Sequence, residues 1–432
     1  MLKQQEGLRM DKTKCIPKNW GIVKLGEICE ITMGQSPPSE SYNMEGKGMP
    51  FLQGKQEFGS NHPINVKYTT KPLKIAFENS ILISVRAPVG DVNIADKTYC
   101  IGRGLASLRA KKGIIALFLY YLMAFQKSDV EAIGEGSTFQ AITKSQIFNF
   151  KILLPPVSEQ RKIAEILETI DNAIEKTDAI IEKYKRIKQG LMQDLLTKGV
   201  VSEGEGESER WRLRDENIDK FKDSLLGRIP EEWEVVRLGE IGKIITGSTP
   251  STENLEYYGD EYLFVSPEDI RENKYITDSQ KKLSELGFRI SRKIPSDSIC
   301  VVCIGSTIGK IAITKTICTT NQQINSIVPN SNIFNSEALF YFIVLYSQKP
   351  LKQEAGLQAV PIVNKNRFSR IQIPLPPLHE QQRIASILSQ IDEVIEKEQA
   401  YKEKLERIKK GLMEDLLTGK VRVNHLIEEE EK

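Results

Sequence analysis

Two stretches of this chain are written in nearly the same letters. Pro17–Pro37 reads PKNWGIVKLGEICEITMGQSP, and Pro230–Pro250 reads PEEWEVVRLGEIGKIITGSTP. A second pair follows in the same order: LPPVSEQRKIAEILETIDNAIEK at 154–176 returns as LPPLHEQQRIASILSQIDEVIEK at 375–397, and GLMQDLLT at 190–197 returns as GLMEDLLT at 411–418. Between these anchors, ILISVRAPVGDVNIA (81–95) is a looser echo of ICVVCIGSTIGKIAI (299–313). Solenoid repeats run only ~20–50 residues. The longer period here means a tandem duplication, so whatever one half folds into, the other folds into as well.

Each copy has two parts. The first is rich in Gly, Pro and Asn with short β-branched runs; Ile81–Val85, Ile299–Ile304 and Lys310–Thr314 read as strands, as does the Leu-Gly-Glu segment beside each repeated Trp. Short helices are expected at Ile114–Ala124 and Ser336–Leu345. The second part is a long helix. Ile163, Leu167, Ile170, Ile174, Ile181, Tyr184, Leu191 and Leu195 alternate spacings of four and three, broken only at Thr177 and Lys188. Ile384, Leu388, Ile391, Ile395, Leu405, Leu412 and Leu416 keep the same frame, with Glu398, Lys402 and Lys409 as breaks. A 3.5-residue period is the signature of a left-handed coiled coil. The neighbouring row Ile387, Val394, Tyr401 and Ile408 widens the stripe enough for more than one partner. The Pro-Pro pairs at 155–156 and 376–377 stop a strand and open each helix.

The fold class expected is therefore α+β: two mixed α/β globular domains joined by two long helices in an antiparallel coiled coil, with approximate two-fold symmetry. The segments are a first domain at 1–156, its helix at 157–197, a charged linker at 198–229 that should be exposed, a second domain at 230–377, and a helix with tail at 378–432. The 432 residues allow two to four domains, and a 40% hydrophobic content suits a folded chain. No run approaches the ~18 apolar residues of a membrane span, and MLKQQEGLRMDKTK lacks the apolar centre of a secretory leader. A cytoplasmic protein with its six cysteines reduced is expected. The net charge of +2 hides a basic first domain, so a polyanion would have to meet local patches.

Catalytic signatures are missing. The three His are His62, His379 and His425, none at metal-ligand spacing. Cys300-Val-Val-Cys303 lies in a strand-like run where the two thiols face opposite sides. Gly305-Ser-Thr-Ile-Gly309-Lys310 is one residue short of a P-loop and lacks its Ser/Thr, so it reads as a turn. No dinucleotide fingerprint or nucleophile elbow occurs. The chain looks like one that binds, with no catalytic residue and no metal site of its own.

LPP-x-x-EQ-x-x-I leading each helix and GLM-x-DLLT closing it resemble the specificity subunit of type I restriction-modification enzymes. Leu375–Ala385 and Gly411–Val423 carry the family form, and Lys198-Gly199 in copy one, against Gly419-Lys420 in copy two, is an exchange from which nothing is expected. The resemblance implies a non-catalytic subunit of a complex that methylates adenine and cleaves DNA through other chains. Each domain would read one half of a split, asymmetric site on double-stranded DNA, and the helices would set the spacing. Two modification subunits holding S-adenosylmethionine, and restriction subunits using ATP and Mg, would be its partners. This chain would bind no cofactor and no membrane.

The reading surface is where such proteins differ, so candidate DNA contacts rest on side-chain chemistry. Gly34-Gln35-Ser36 and Gly247-Ser248-Thr249 are loops whose backbone N–H groups could meet phosphates, or plain turns. Lys55, Gln56, Arg86, Arg103, Gln140 and Lys144 in the first copy carry suitable donors. So do Ser306, Lys310, Asn321, Gln322, Gln323, Asn364 and Lys365 in the second. Trp20 and Trp233 are expected as core anchors. Two other classes stay open: an enzyme fused to recognition domains, and a coiled-coil scaffold that binds proteins only.

Overall fold

The computed structural model describes residues 16–64, 67–134, 141–204, 210–271, 273–355 and 361–430. Its contacts divide the chain into two units, Met1–Asp178 with Ala400–Lys432, and Ala179–Gln399. The duplication is visible as one sheet plan drawn twice. In the first unit a four-stranded antiparallel sheet has the order Cys29–Met33, Leu105–Ala110, Ile81–Ser84, Val92–Ile94. A second sheet centres on Met49–Leu52, paired in parallel with Tyr99–Ile101. In the second unit Gly242–Thr246, Ile324–Pro329, Ile299–Val302 and Ile311–Thr314 repeat the first order, with Tyr275–Ile276 added at the edge. Tyr262–Val265 pairs in parallel with Cys318–Thr320 as the counterpart of the other sheet.

The strand read at Ile299–Ile304 is Ile299–Val302, and its pleat sorts the side chains as a period of two requires. Ile299, Val301 and Cys303 enter one core cluster, while Cys300 and Val302 enter another. The CxxC thiols therefore point to opposite faces, and burial pushes Cys303 up to about 11 and Cys300 to about 12. Each main cluster is capped by one helix, Ala116–Phe125 or Ser336–Tyr346, apolar nearly all round and buried accordingly. Leu-Gly-Glu-Ile, read as strand, is instead one helical turn in both copies. Glu27 and Glu240 reach back to the backbone N–H of Lys24 and Arg237, at 3.0 and 2.8 Å.

The long helices are Val157–Thr197 and Leu378–Leu417, 41 and 40 residues. Each ends before a glycine in the left-handed region, Gly199 at φ 66° and Gly419 at φ 70°. The Lys-Gly exchange is thus not neutral: it moves the left-handed residue, and the helix end, by one position. In the first unit Ile163 and Leu167 share a buried cluster with Leu416 and Leu417, with Leu412 packed against it. In the second, Ile384 and Leu388 meet Leu195 and Leu196. Ile170, Ile174, Ile391 and Ile395 are only half-buried. The three lysine breaks in the apolar frame are where the helices pair by charge. Lys409 meets Asp171 at 2.5 Å and Lys402 meets Asp178 at 2.6 Å in the first unit, and Lys188 meets Asp392 at 2.5 Å in the second. In the first unit, stepping seven residues along one helix steps seven back along the other, which makes the pair antiparallel. Thr177 is buried in the seam and donates to the Ala173 carbonyl at 2.8 Å.

The segment expected as an exposed linker is built. Val200–Glu203 pairs with Arg210–Leu213, and Phe221–Ser224 with Gly227–Pro230. Val200, Arg214 and Ile229 are buried. These strands are too charged to show an alternating apolar pattern, so their sequence gave no strand signal.

Candidate nucleic-acid interface

Three separate sequence motifs meet at one joint in each unit. Trp20, folded back by its own N–H to Pro17 O, points its indole at Glu159 of the Pro-Pro-x-x-Glu-Gln motif, 3.4 Å away. Arg422, three residues past Gly419, clasps the same carboxylate at 2.8 and 2.5 Å. In the second unit Trp233 donates to Glu380 at 3.0 Å, and Arg214 grips that carboxylate with both guanidinium nitrogens. A Cβ on Gly199 would collide with Glu380 and Trp233, and one on Gly419 with Pro17. The adjoining glutamines tie helix to domain. Gln160 accepts from Ile115 N and donates to Pro155 O, and Gln381 accepts from Asn335 N and donates to Pro376 O. Trp20 and Trp233 are core anchors, as expected.

In each domain one group of loops gathers most of the candidate residues. In the first domain Gly34-Gln35-Ser36 lies against the turn at Gly102–Gly104. Ser36 is linked to Gln53 at 3.0 Å and receives the Arg103 N–H at 3.3 Å. Arg86 is exposed and its backbone pairs with Ala141, which brings in Lys144 at the start of the next short helix. Lys55 and Lys127 are both bonded to Asp91, at 2.5 and 2.7 Å. Burial would raise the Asp91 carboxyl, but the two lysines hold it below the usual carboxylate range. Gln56 donates to Glu57 at 2.8 Å. Gln140 lies outside the described residues.

The second domain repeats the group. Gly247-Ser248-Thr249 lies against Asn321–Gln323, with Thr249 donating to Gln322. Ile304 pairs with Ile362, which brings the segment that starts the short helix at Asn364 and Lys365 against the strand that precedes Ser306. Gly305-Ser-Thr-Ile-Gly309-Lys310 is the turn expected between two strands, with both glycines at positive φ. Lys310 reaches the Pro267 carbonyl at 3.5 Å.

The structure narrows the candidates. The backbone N–H groups of Gly34, Gln35, Gly247 and Ser248 are already given to Leu105, Ile101, Ile324 and Thr320 carbonyls, so they are not phosphate donors. Gly34 and Gly247 are glycine because a Cβ would strike the Gly102 and Asn321 carbonyls. Asn364 caps its helix by accepting from Arg367 N at 3.0 Å. Asn321 and Gln323 bond to each other at 2.8 Å. Of the exposed candidates, Lys55, Gln56, Thr249, Lys310 and Asn364 are engaged in the bonds given above, while Gln35, Arg86, Arg103, Lys144, Ser306, Gln322 and Lys365 are exposed as well. Sequence reasoning missed Gln53 and Arg292, the latter bonded to Thr246 O at 2.9 Å and exposed on the same loops. Neither lies in a motif, and only the fold brings them there. Among the described residues no group of His, Cys, Asp and Glu could hold a metal ion.

The type I restriction modification DNA specificity domain matches this chain twice, over residues 17–185 and 230–407. The chain belongs to that family. A putative specificity subunit of the MjaX type I restriction enzyme from Methanocaldococcus jannaschii is 49% identical over 42% of this chain and 44% of that protein. The MjaVIII specificity subunit of the same organism is 29% identical over 98% of this chain and 96% of its own length. Among solved structures, an S subunit of a type I system from M. genitalium superposes with a TM-score of 0.61 at 18% identity, covering 95% of this chain and 98% of that one. The two matched segments each run from a repeated Trp motif into a long helix. As in this family generally, the chain is a specificity component and not the catalytic one. No helix among the described residues is long and apolar enough to cross a membrane.

Proposed function

We propose that each globular domain reads one half of a bipartite, asymmetric site on double-stranded DNA, and that the paired helices fix the unread base pairs between the halves. The observation that carries this reading is the doubled loop group: one backbone frame presenting non-identical polar side chains. Two readers of related shape but different chemistry suit an asymmetric two-part site. Exposed cations at Arg86, Arg103, Lys144 and Lys365 supply phosphate and base donors.

Modification subunits, two per chain, dock on the helices, and restriction subunits join them in the cytoplasm. S-adenosylmethionine, ATP and Mg belong to those partners. The docking is supported by the row of apolar side chains left on the helices, where Tyr401 is 50% and Ile408 40% exposed.

The test is co-expression with a modification subunit, followed by genome-wide mapping of methylated adenine. A split motif with one methylated base per half supports the reading, and a stable complex with no motif sinks it. Deleting Asp178–Ile181 should change the spacing or abolish assembly. An unchanged site and complex would remove the spacer role.

A further inference from the structure

The turn between Tyr99–Ile101 and Leu105–Ala110 in the first domain, and its counterpart between Cys318–Thr320 and Ile324–Pro329 in the second, is the same turn carrying a different central residue. In the first domain it is Gly102-Arg103-Gly104, in the second Asn321-Gln322-Gln323. Three backbone bonds that frame it are duplicated. Gly102 N donates to Leu52 O at 2.7 Å, and Asn321 N to Val265 O at 3.0 Å. Leu105 N closes on Gly102 O at 3.0 Å, and Ile324 N on Asn321 O at 3.3 Å. Gly34 N meets Leu105 O at 2.9 Å, and Gly247 N meets Ile324 O at 3.1 Å. A hydroxyl then supports the turn from one side, Ser36 in the first domain and Thr249 in the second.

The flanking positions are unable to read. Gly102 and Gly104 have no side chain, and a Cβ on Gly104 would lie 2.6 Å from the Gln53 carbonyl. Asn321 and Gln323 spend their amides on one another, and Gln323 also reaches Ile304 O at 3.5 Å. The central residue is exposed in both domains. Arg103 makes no ion pair among the described residues. Gln322 uses only its carbonyl oxygen, accepting from Thr249, so its NH2 group is left as a donor.

From this geometry we infer that Arg103 and Gln322 are the equivalent specificity-determining residues of the two domains, Arg103 demanding a guanine in its half-site and Gln322 an adenine at the corresponding place in the other. An arginine fork fits guanine O6 and N7, and a glutamine amide fits adenine N6 and N7. The Thr249 hydroxyl fixes the amide orientation that adenine requires, with the carbonyl still able to accept a second bond from N6. The inference rests on the two-domain reading proposed above.

The experiment selects sites from a pool of random duplexes with the purified complex of this chain and its modification subunit. It compares wild type with Arg103→Gln, Gln322→Arg, Arg103→Ala and Gln322→Ala. Arg103→Gln should replace one guanine by adenine in one half-site, and Gln322→Arg should do the reverse in the other. The Ala variants should lose about 5- to 150-fold preference at that base alone. Unchanged consensus sequences in all four variants, or equal weakening at every position of a half-site, overturn the inference while leaving two-domain reading intact. A wild-type complex that selects no two-part site removes that reading and this inference together. Should a variant fail to assemble, Gln322→Met keeps the shape without the amide and must give the same single-base loss.

Discussion

Asp171 accepts the Tyr121 hydroxyl at 2.8 Å while its other oxygen meets Lys409 at 2.5 Å. One carboxylate thereby binds a domain residue and the opposite helix. The second unit builds the same triplet from Tyr341, Asp392 and Lys188. Burial, then the nearby carboxylate, pushes both phenols up, so each remains a donor at any ordinary pH. Asp171→Asn should lower stability by about 1–3 kcal/mol, the cost of leaving buried polar partners unmet. Asp178→Asn, which breaks only the more exposed pair with Lys402, should cost at most about 1 kcal/mol. Urea midpoints of the two variants decide this, and equal losses would contradict it.

The two Trp-Glu-Arg joints should not be equally sensitive. Glu380 and Arg214 have side chains 1% and 6% exposed, whereas Arg422 beside Glu159 is 26% exposed. Removing one member of a buried pair costs about 3–5 kcal/mol, so Glu380→Gln should fall in that range. Glu159→Gln should cost roughly 1–3 kcal/mol, because water can reach the orphaned Arg422. Chemical denaturation of both variants is the check; a larger loss at Glu159 would reverse the argument.

Two glycines nine residues apart should respond oppositely to alanine. Gly190 lies within the first long helix with open space around its Cβ position. Gly190→Ala should stabilise by about 0.5–1 kcal/mol through helix propensity. Gly199 has φ 66° and faces Trp233 and Glu380. Gly199→Ala should cost more than about 1 kcal/mol. Thermal melts of the pair would expose an error if both moved in the same direction.

Salt dependence should separate free cations from engaged ones. Arg86→Gln and Lys144→Gln should each reduce the slope of log affinity against log salt by about one. Lys55→Gln should change it less, since Asp91 already neutralises that amine. Titrating the assembled complex onto duplex at several salt concentrations measures all three slopes, and a full unit lost at Lys55 would refute the distinction.

The repeat made the architecture readable, because a duplicated sequence must fold twice and the 3.5-residue frame specifies the helices. The functions of Glu159, Gln160, Glu380 and Gln381 were not readable. Each acts on a residue that no periodicity links to it, such as Arg422 or Ile115. The breaks at Lys188, Lys402 and Lys409 looked like flaws in an apolar frame and are instead its charge pairs. The Gly-x-x-Pro loops read equally as phosphate contacts or plain turns, because sequence shows small residues but not where their N–H groups are spent. The left-handed glycine after each helix was the one overlooked signal that could have located both joints.

The joint at Trp20 also sets an order of events during synthesis. Its carboxylate comes from Glu159, but Arg422 lies 263 residues further along. At ribosomal rates of ~5–20 residues per second, that arginine emerges roughly 13–50 s later. The second unit, continuous from Ala179 to Gln399, has all its residues before the first can close. The domain made first is therefore the one finished last, and a nascent chain stalled before residue 400 carries its leading domain with the clasp still open.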